Sequence, residues 1–269
     1  MALHNLTTRD SRVLYDPHTV IDRAFCLAFS PDGTTLAIGH QDGRTALWDI
    51  STGRIQQVLS GHTDFIASLV FSPDGMTLAS SSADRSVRLW DLPGGHPRFI
   101  IHDQTNTVSV LAFSPNGRFL ILGNYASPTI QLWDVRTHCE RTALKGLKSN
   151  LVAVAVSQDS LTLAAADFHG LITFWDLQTL EIVPGGLRDA RVFALAFAPE
   201  GRTLATGGFD GTIQLWDWPY GLPGNRPQRI SATVSPVQVF PVYAMSAQAG
   251  TSEAKRPAAA VQAAVSRGS

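Results

Sequence analysis

The sequence predicts an all-β fold made of five repeated antiparallel sheets, and three observations carry that expectation. The pair Trp-Asp occurs at Trp48-Asp49, Trp90-Asp91, Trp133-Asp134, Trp175-Asp176 and Trp216-Asp217. Its spacing is nearly constant, with the tryptophans 42, 43, 42 and 41 residues apart. A second motif keeps step with it: FSPDG at 29–33, FSPDG at 71–75, FSPNG at 113–117, VSQDS at 156–160 and FAPEG at 197–201. Two motifs in one register mean one supersecondary unit repeated, and such units bury their apolar faces on one another.

Each repeat reads as strands separated by turns. In the second copy, FIASLVF at 65–71 is a strand, and Ser72-Pro73-Asp74-Gly75 is a tight turn. Proline presets φ, aspartate bonds the local backbone, and glycine accepts a positive φ. MTLASSS at 76–82 is the next strand, a short turn holds Asp84, and SVRLWDL at 86–92 is the third. A more variable stretch leaves room for a fourth. The first strands, such as FCLAFS, LVAVAV and FALAFA, are apolar on both faces, which predicts burial on both sides. The third strands mix polar and apolar positions and are expected further from the centre.

Composition narrows the class. Apolar residues make up 44% and charged residues 16%, enough for a core and too apolar for disorder throughout. Twenty-one basic residues stand against 22 acidic ones, for a net charge of -1, which disfavours a nucleic-acid binder. Cys26 and Cys139 have no CxxC spacing, so neither a disulfide framework nor a zinc site is expected, and Cys26 reads as a small buried residue. The N-terminus lacks the basic and apolar regions of a signal peptide. The longest apolar run, LVAVAV at 151–156, is far short of a membrane span. The expected setting is cytoplasmic.

Over about residues 20–218 these motifs resemble the WD-repeat β-propeller family, and the near-uniform copies resemble its bacterial members. The resemblance implies four-stranded antiparallel blades set radially round a channel, five of them recognisable, and a role in holding partners together. The repeats fall at about 21–62, 63–105, 106–147, 148–188 and 189–218 plus an outer strand, within a propeller at 21–235. Residues 3–19 align with 47–63, with His4-Asn5 at the Trp-Asp position. Residues 1–20 are therefore expected to supply the outer strand of the last blade, closing the ring of a monomer. The alternative is that QRISATV at 228–234 supplies it, leaving the ring open or completed by another chain. The chain could also be a fragment of a longer propeller. Residues 246–269 are small and polar and are expected to be a disordered tail.

The resemblance also implies a buried hydrogen-bonded set, matched in full by the second copy as His62, Ser80, Asp84 and Trp90. These include the groups of a hydrolytic triad. A serine inside a buried strand, without an exposed turn or oxyanion donors, favours the structural role. Other copies depart from the set. Asp42 and Asp210 keep the acid, while Ser127 and His169 replace it. Ile38 replaces the hydroxyl in the first copy, and Thr206 keeps it in the fifth. His18 lies near the histidine place in the first copy, and no comparable histidine precedes the fifth. The third and fourth blades are expected to be softer. No Gly-rich phosphate loop and no His-Glu-x-x-His motif occurs, so no catalytic residue, metal or cofactor is expected.

The resemblance further implies that the turns between second and third strands gather with the starts of the first strands at one end of the ring. His40, Gln41, Phe65, Arg85, Tyr125, Phe168, His169, Arg191 and Phe209 map there. His40 and His102 read as surface residues. Aromatic and arginine side chains dominate interface hot spots, so this end is the expected face for a protein or peptide partner. The competing expectation packs Phe168 and Phe209 on neighbouring blades. The function expected is an interaction scaffold. A regulatory sensor within a larger signalling protein and a propeller hydrolase are the alternatives.

Overall fold

The computed structural model describes residues 2–4, 11–13, 23–92, 94–102, 106–189, 192–217 and 228–230. The chain divides into two compact units, Met1–Thr107 and Val108–Ser269.

In the first unit, β1 (Ala2–His4) and β2 (Ser11–Val13) form a short hairpin, with Ala2 opposite Val13. The first blade follows as β3 (Ala24–Phe29), β4 (Thr35–His40), β5 (Thr45–Asp49) and β6 (Arg54–Leu59). The second blade is β7 (Ile66–Phe71), β8 (Thr77–Ser82), β9 (Val87–Asp91) and β10 (His96–Ile101). In the second unit, the third blade is β11 (Val110–Phe113), β12 (Phe119–Gly123), β13 (Ile130–Asp134) and β14 (Cys139–Leu144). The fourth is β15 (Leu151–Val156), β16 (Thr162–Asp167), β17 (Leu171–Asp176) and β18 (Ile182–Arg188). The fifth is β19 (Val192–Phe197), β20 (Thr203–Gly208), β21 (Ile213–Asp217) and β22 (Gln228–Ile230). Each blade is an antiparallel sheet in chain order.

The outer strand of the fifth sheet corrects an expectation. Gln228–Ile230 pairs with β21, Leu215 facing Ile230, so the outer strand comes from the QRISATV segment kept open as the alternative, in the place expected of residues 1–20. The N-terminal segment instead spends its described hydrogen bonds within its own hairpin. A local hairpin closes at far smaller entropic cost than pairing across the chain. The tail at 246–269 lies outside the described residues.

Burial falls on different strands from those expected. The second strands are buried nearly throughout, all six residues in β8 and all five in β12. The first strands are unevenly covered: Leu151, Val152, Ala153 and Ala155 of β15 are buried as expected, whereas Leu27 and Phe29 of β3 are exposed. A first strand is the edge of its sheet, while a second strand has paired neighbours on both sides. The third strands of the first and fourth blades are also well buried, and the alternation appears in the fourth strands, as in β6 and β18. That outer strand covers its blade on one face only.

The repeated turn works as a side-chain clamp. Ser30 Oγ donates to Asp32 at 2.5 Å and accepts from the Thr35 amide at 2.9 Å. Asp32 accepts from the Thr34 amide at 3.0 Å, and Gly33 takes φ +72°. The clamp recurs with Ser72 and Asp74, with Ser114 and Asn116, and with Ser157 and Asp159. In the fourth blade Ser160 takes the glycine place at φ +61°, a strained conformation for a residue with a Cβ. Its hydroxyl accepts from the Asn116 amide at 3.0 Å and ties the turns of the third and fourth blades together. In the fifth blade Ala198 and Glu200 replace the serine and the aspartate. There the Gly201 amide donates to the Ala198 carbonyl at 2.8 Å.

The cores lie between blades. Cys26, Leu47, Ile66, Leu78 and Trp90 join the first and second. Phe119, Leu132, Leu151, Leu163 and Trp175 join the third and fourth. Ala166, Phe174, Val192, Leu204 and Trp216 join the fourth and fifth. At the first of these seams β4 has no side chain at Gly39. A Cβ there would stand 2.6 Å from Ile66 Cγ2 and 2.7 Å from Cys26 Sγ. Burial pushes the Cys26 thiol up to about 12, so it stays protonated and inert, and it donates to the Ile66 carbonyl at 3.5 Å.

Candidate functional site

Two constellations carry polar chemistry or exposed aromatic surface. The first is buried in the second blade. Ser80 is wholly buried at the centre of β8, flanked by Trp90 of β9 and by His62 ahead of β7. Trp90 Nε1 donates to Ser80 Oγ at 2.8 Å, and Ser80 Oγ lies 2.8 Å from His62 Nε2. His62 Nδ1 lies 2.8 Å from Asp84 Oδ2. Asp84 also accepts from the Thr63 amide at 3.1 Å, the Ser86 amide at 2.9 Å and the Ser86 hydroxyl at 2.7 Å.

Proton counting fixes the direction of the chain. An indole N–H can only donate, so the single Ser80 proton is free to go to His62 Nε2. Nε2 is then an acceptor, and Nδ1–H donates to the Asp84 carboxylate. This needs a neutral imidazole. Burial, the largest influence, pushes the His62 pKa down against the opposing pull of Asp84, and the net shift is downward. Burial raises the Asp84 carboxyl, but the hydrogen bonds from Ser86 and His62 outweigh it and hold it at about 2.

This has a consequence for stability. In the unfolded chain His62 takes a proton near pH ~6.5, while in the fold it resists until lower pH. The unfolded state therefore binds more protons in that window, and the His62 contribution, complete above it, is lost on acidification. The Asp84 contribution has the same sign and is lost below pH ~3.9, toward its folded value. Urea midpoints at pH 7.5 and pH 5.5 are expected to differ in favour of pH 7.5. Replacing His62 by leucine together with Ser80 by alanine is expected to shrink that difference. A difference unchanged in the variant would mean that His62 is not its source.

Other blades solve the same problem differently. In the fifth, Trp216 Nε1 donates to Thr206 Oγ1 at 3.2 Å, and Thr206 donates to Asp189 at 2.6 Å. The buried Asp189 stands where the second blade has histidine chemistry, and sequence reasoning missed it. In the fourth, Leu147 and Ala165 take the places of His62 and Ser80, and both pack with Trp175. Trp175 Nε1 donates to the Lys145 carbonyl at 3.3 Å. The wholly buried Asp167 accepts from the amides of Lys148, His169 and Leu171. Histidine and hydroxyl are both absent there, so no partner is orphaned, and the physical ground for a softer fourth blade falls away. In the third, Ser127 Oγ accepts from the Thr129 amide at 3.1 Å, the turn role of Asp84. In the first, Asp42 is held by Arg44 instead, Nη2 to Oδ2 at 2.5 Å, and Ile38 packs with Trp48. His18 lies outside the described residues.

The second constellation lies, in each unit taken by itself, at the end of the sheets where second strands turn into third strands. Phe168 and Phe209 are the most exposed large apolar residues described, at 57% and 61%. Both stand one residue past a second strand, in adjacent blades. Phe209 leans on Phe193, with ring centroids 5.4 Å apart, and Phe168 meets the exposed His169 edge-on at 6.0 Å. Tyr125 is half-buried at the same turn of the third blade, its amide held by Ser109 Oγ at 3.2 Å. In the first unit, Phe65 is half-buried and stacks on Phe25 at 5.0 Å. Gln41 donates its amide to the Arg23 carbonyl at 2.9 Å. Arg85 is exposed at φ +65°, where Gly43, Gly170 and Gly211 stand in other blades. Arg191 lies outside the described residues.

His40 departs from expectation. It is only 4% exposed and does not belong to the face, whereas His102 is exposed. His40 ends β4 opposite Ala24, as Ser82 ends β8 opposite Ile66 and Asp167 ends β16 opposite Leu151. All three are buried, because this position lies inside the blade rather than on its turn. Phe25 and Phe193, one residue into the first strands, are the aromatics sequence reasoning missed.

Among the described residues no group of three or more His, Cys, Asp or Glu side chains could hold a metal ion. Nor is any helix long and apolar enough to cross a membrane.

Known proteins are similar to this chain. The family model described as the IFT122 first beta-propeller matches residues 22–255. Autophagy-related protein 16 of Arabidopsis thaliana is 37% identical over 57 residues. That match covers 20% of this chain and only 11% of the relative. Among solved structures, the β-propeller domain of Cps50 (Swd1) from Myceliophteria thermophila is similar with a TM-score of 0.70 at 23% identity. The likeness covers 77% of this chain and 70% of that one, and at this identity it speaks to the fold alone. With most of its length matched by the family model, the chain belongs to the family of the IFT122 first beta-propeller and is a WD-repeat β-propeller.

Proposed function

We propose that this propeller is a non-catalytic protein-interaction module that takes a protein or peptide on the turns between its second and third strands. The observation that carries this is the exposure of Phe168 and Phe209 at one turn position in adjacent blades. Large aromatic side chains left in water at neighbouring turns cost solvation free energy that a partner recovers. His62, Ser80 and Asp84 support the absence of catalysis, because Ser80 is out of reach of any substrate and already holds Trp90. Two free cysteines, one of them exposed, suit a reducing cytoplasm. The near-neutral charge suits a protein partner better than a nucleic acid.

One further observation favours the module as the recognition part of a larger assembly. The curated relative is a much longer protein, of which this chain matches only a small share.

The test is quantitative capture from the source organism's extract with tagged wild type and with Phe168→Ala/Phe209→Ala. Hot-spot aromatics contribute ~2 kcal/mol or more each, so partner recovery should fall at least about tenfold. Thermal melting should be unchanged, since both rings are exposed. Equal recovery by the two proteins would overturn the assignment of this face.

A further inference from the structure

The first and second blades enclose a cleft of about 770 Å³ at the opposite end of their sheets from Gln41 and Phe65. Its floor is apolar, made by Leu47, Phe71 and Leu92, with Met76 56% exposed at the mouth. Its two rims are the clamped turns, one carrying Asp32 and the other Asp74. Gln56 and Gln57 of β6 form the remaining wall. Among the described residues neither lysine nor arginine lines it.

The chain itself shows why the cleft is open here. Thr35 of β4 faces Asp49, and at the same register Phe119 of β12 faces Asp134. Leu47 of β5 faces Ala37, and at the same register Phe174 of β17 faces Ala164. Phe119 is buried in the seam between the third and fourth blades, and Phe174 in the seam between the fourth and fifth. Each of those seams is plugged by a ring. The seam between the first and second blades has threonine and leucine at both places and is left unplugged.

We propose that this cleft binds an extended peptide carrying an arginine between apolar residues, the aliphatic side chains on the floor and the guanidinium between Asp32 and Asp74. The size is that of a ligand pocket. An exposed methionine over an apolar floor adapts to varied side chains. The charge is complementary: two carboxylates from different blades face one space, and no cationic side chain among the described residues lines it. Hydrogen bonds from Ser30 and Ser72 hold these carboxyls below the usual range, so both are charged at neutral pH. The charge of Arg98 also acts on Asp74, but its guanidinium lies 3.6 Å from Asp91. An arginine rather than a lysine suits two acceptors, because its planar fork offers several donors at once. The site is independent of Phe168 and Phe209.

The test uses the full chain with 13C-labelled methionine methyls, Met76 being one of three methionines. The probe is the capped pentapeptide Ala-Leu-Arg-Leu-Ala, with Ala-Leu-Glu-Leu-Ala as its charge-reversed control. The arginine peptide is expected to shift the Met76 methyl saturably. The glutamate peptide should bind more than about tenfold weaker, and 0.5 M salt should narrow the gap. Asp32→Asn and Asp74→Asn should each weaken binding about twofold to fivefold, as an exposed ion pair contributes. Both variants should fold, since Asn116 makes the same clamp in the third blade. Thr35→Phe, which copies Phe119, should abolish the shift. No saturable shift, equal shifts from the two peptides, or undiminished binding by Asp32→Asn and Asp74→Asn would each overturn the proposal.

Discussion

Ser80→Ala is expected to destabilise the protein by about 2–4 kcal/mol, far more than the loss of one oxygen from a surface. The hydroxyl serves two buried groups, accepting from Trp90 Nε1 and lying against His62 Nε2, and its removal orphans both. Each orphaned buried group costs about 1–3 kcal/mol. His62→Leu is expected to be similarly costly, since Asp84 loses a donor and Ser80 an acceptor. The double variant copies the fourth blade, where Leu147 and Ala165 stand in these places and pack against Trp175. It should cost at least about 1 kcal/mol less than the sum of the two, because no histidine or hydroxyl is then left searching for a partner. Urea unfolding of the four proteins measures this directly. Strict additivity would mean that the set does not act as a unit.

Gly39→Ala is expected to destabilise by about 2 kcal/mol, and Gly123→Ala by clearly less. A methyl at Gly39 meets the Cβ and Cγ2 of Ile66, a wholly buried β-branched residue whose χ1 cannot easily turn. Alanine would gain about 0.4–1 kcal/mol by restricting the unfolded chain, but overpacking at about 1–3 kcal/mol outweighs it. At Gly123 the nearest atom is the terminal Cδ2 of Leu151, and the next, Cγ, stands 3.5 Å away. A leucine tip can swing aside. Ile66→Ala, itself costly as a cavity in a wholly buried site, should combine with Gly39→Ala at less than the sum of the two single losses, because the smaller side chain makes room for the added methyl. Equal effects at the two glycines, or a neutral Gly39→Ala, would refute this account of the seams.

These seams also mark the limit of what the sequence tells. The strand-turn-strand order follows from SPDG and Trp-Asp because turn chemistry and a buried tryptophan are local requirements that every repeat must meet. His62, Ser80, Asp84 and Trp90 could be lined up by repeat register for the same reason. The small residues Gly39, Ser81, Gly123, Ala166 and Gly207 form a column in that register. Their meaning depends on the next blade, where Ile66 and Leu151 press against Gly39 and Gly123. Asp189 was missed because it serves Thr206 from outside the strands, where spacing is loose. A strand hydroxyl without a preceding histidine was the available sign that another acceptor must lie near. His40 was misplaced because a turn residue and the last strand residue are adjacent in sequence but differ in burial. The sequence leaves two candidates for the outer strand of the fifth blade, residues 1–20 and QRISATV at 228–234, because three residues of pairing, Gln228–Ile230, leave little pattern to read.

The claim that the aromatic turns are the working face is tested most directly by site-specific photo-crosslinking in the source cells. A benzoylphenylalanine placed at Phe168 or Phe209 should yield discrete cross-linked species that compete away with excess unlabelled protein. The same group at Leu161, 39% exposed at the opposite end of the fourth blade, should yield none. Cross-links from Leu161 with none from Phe168 or Phe209 would contradict the account.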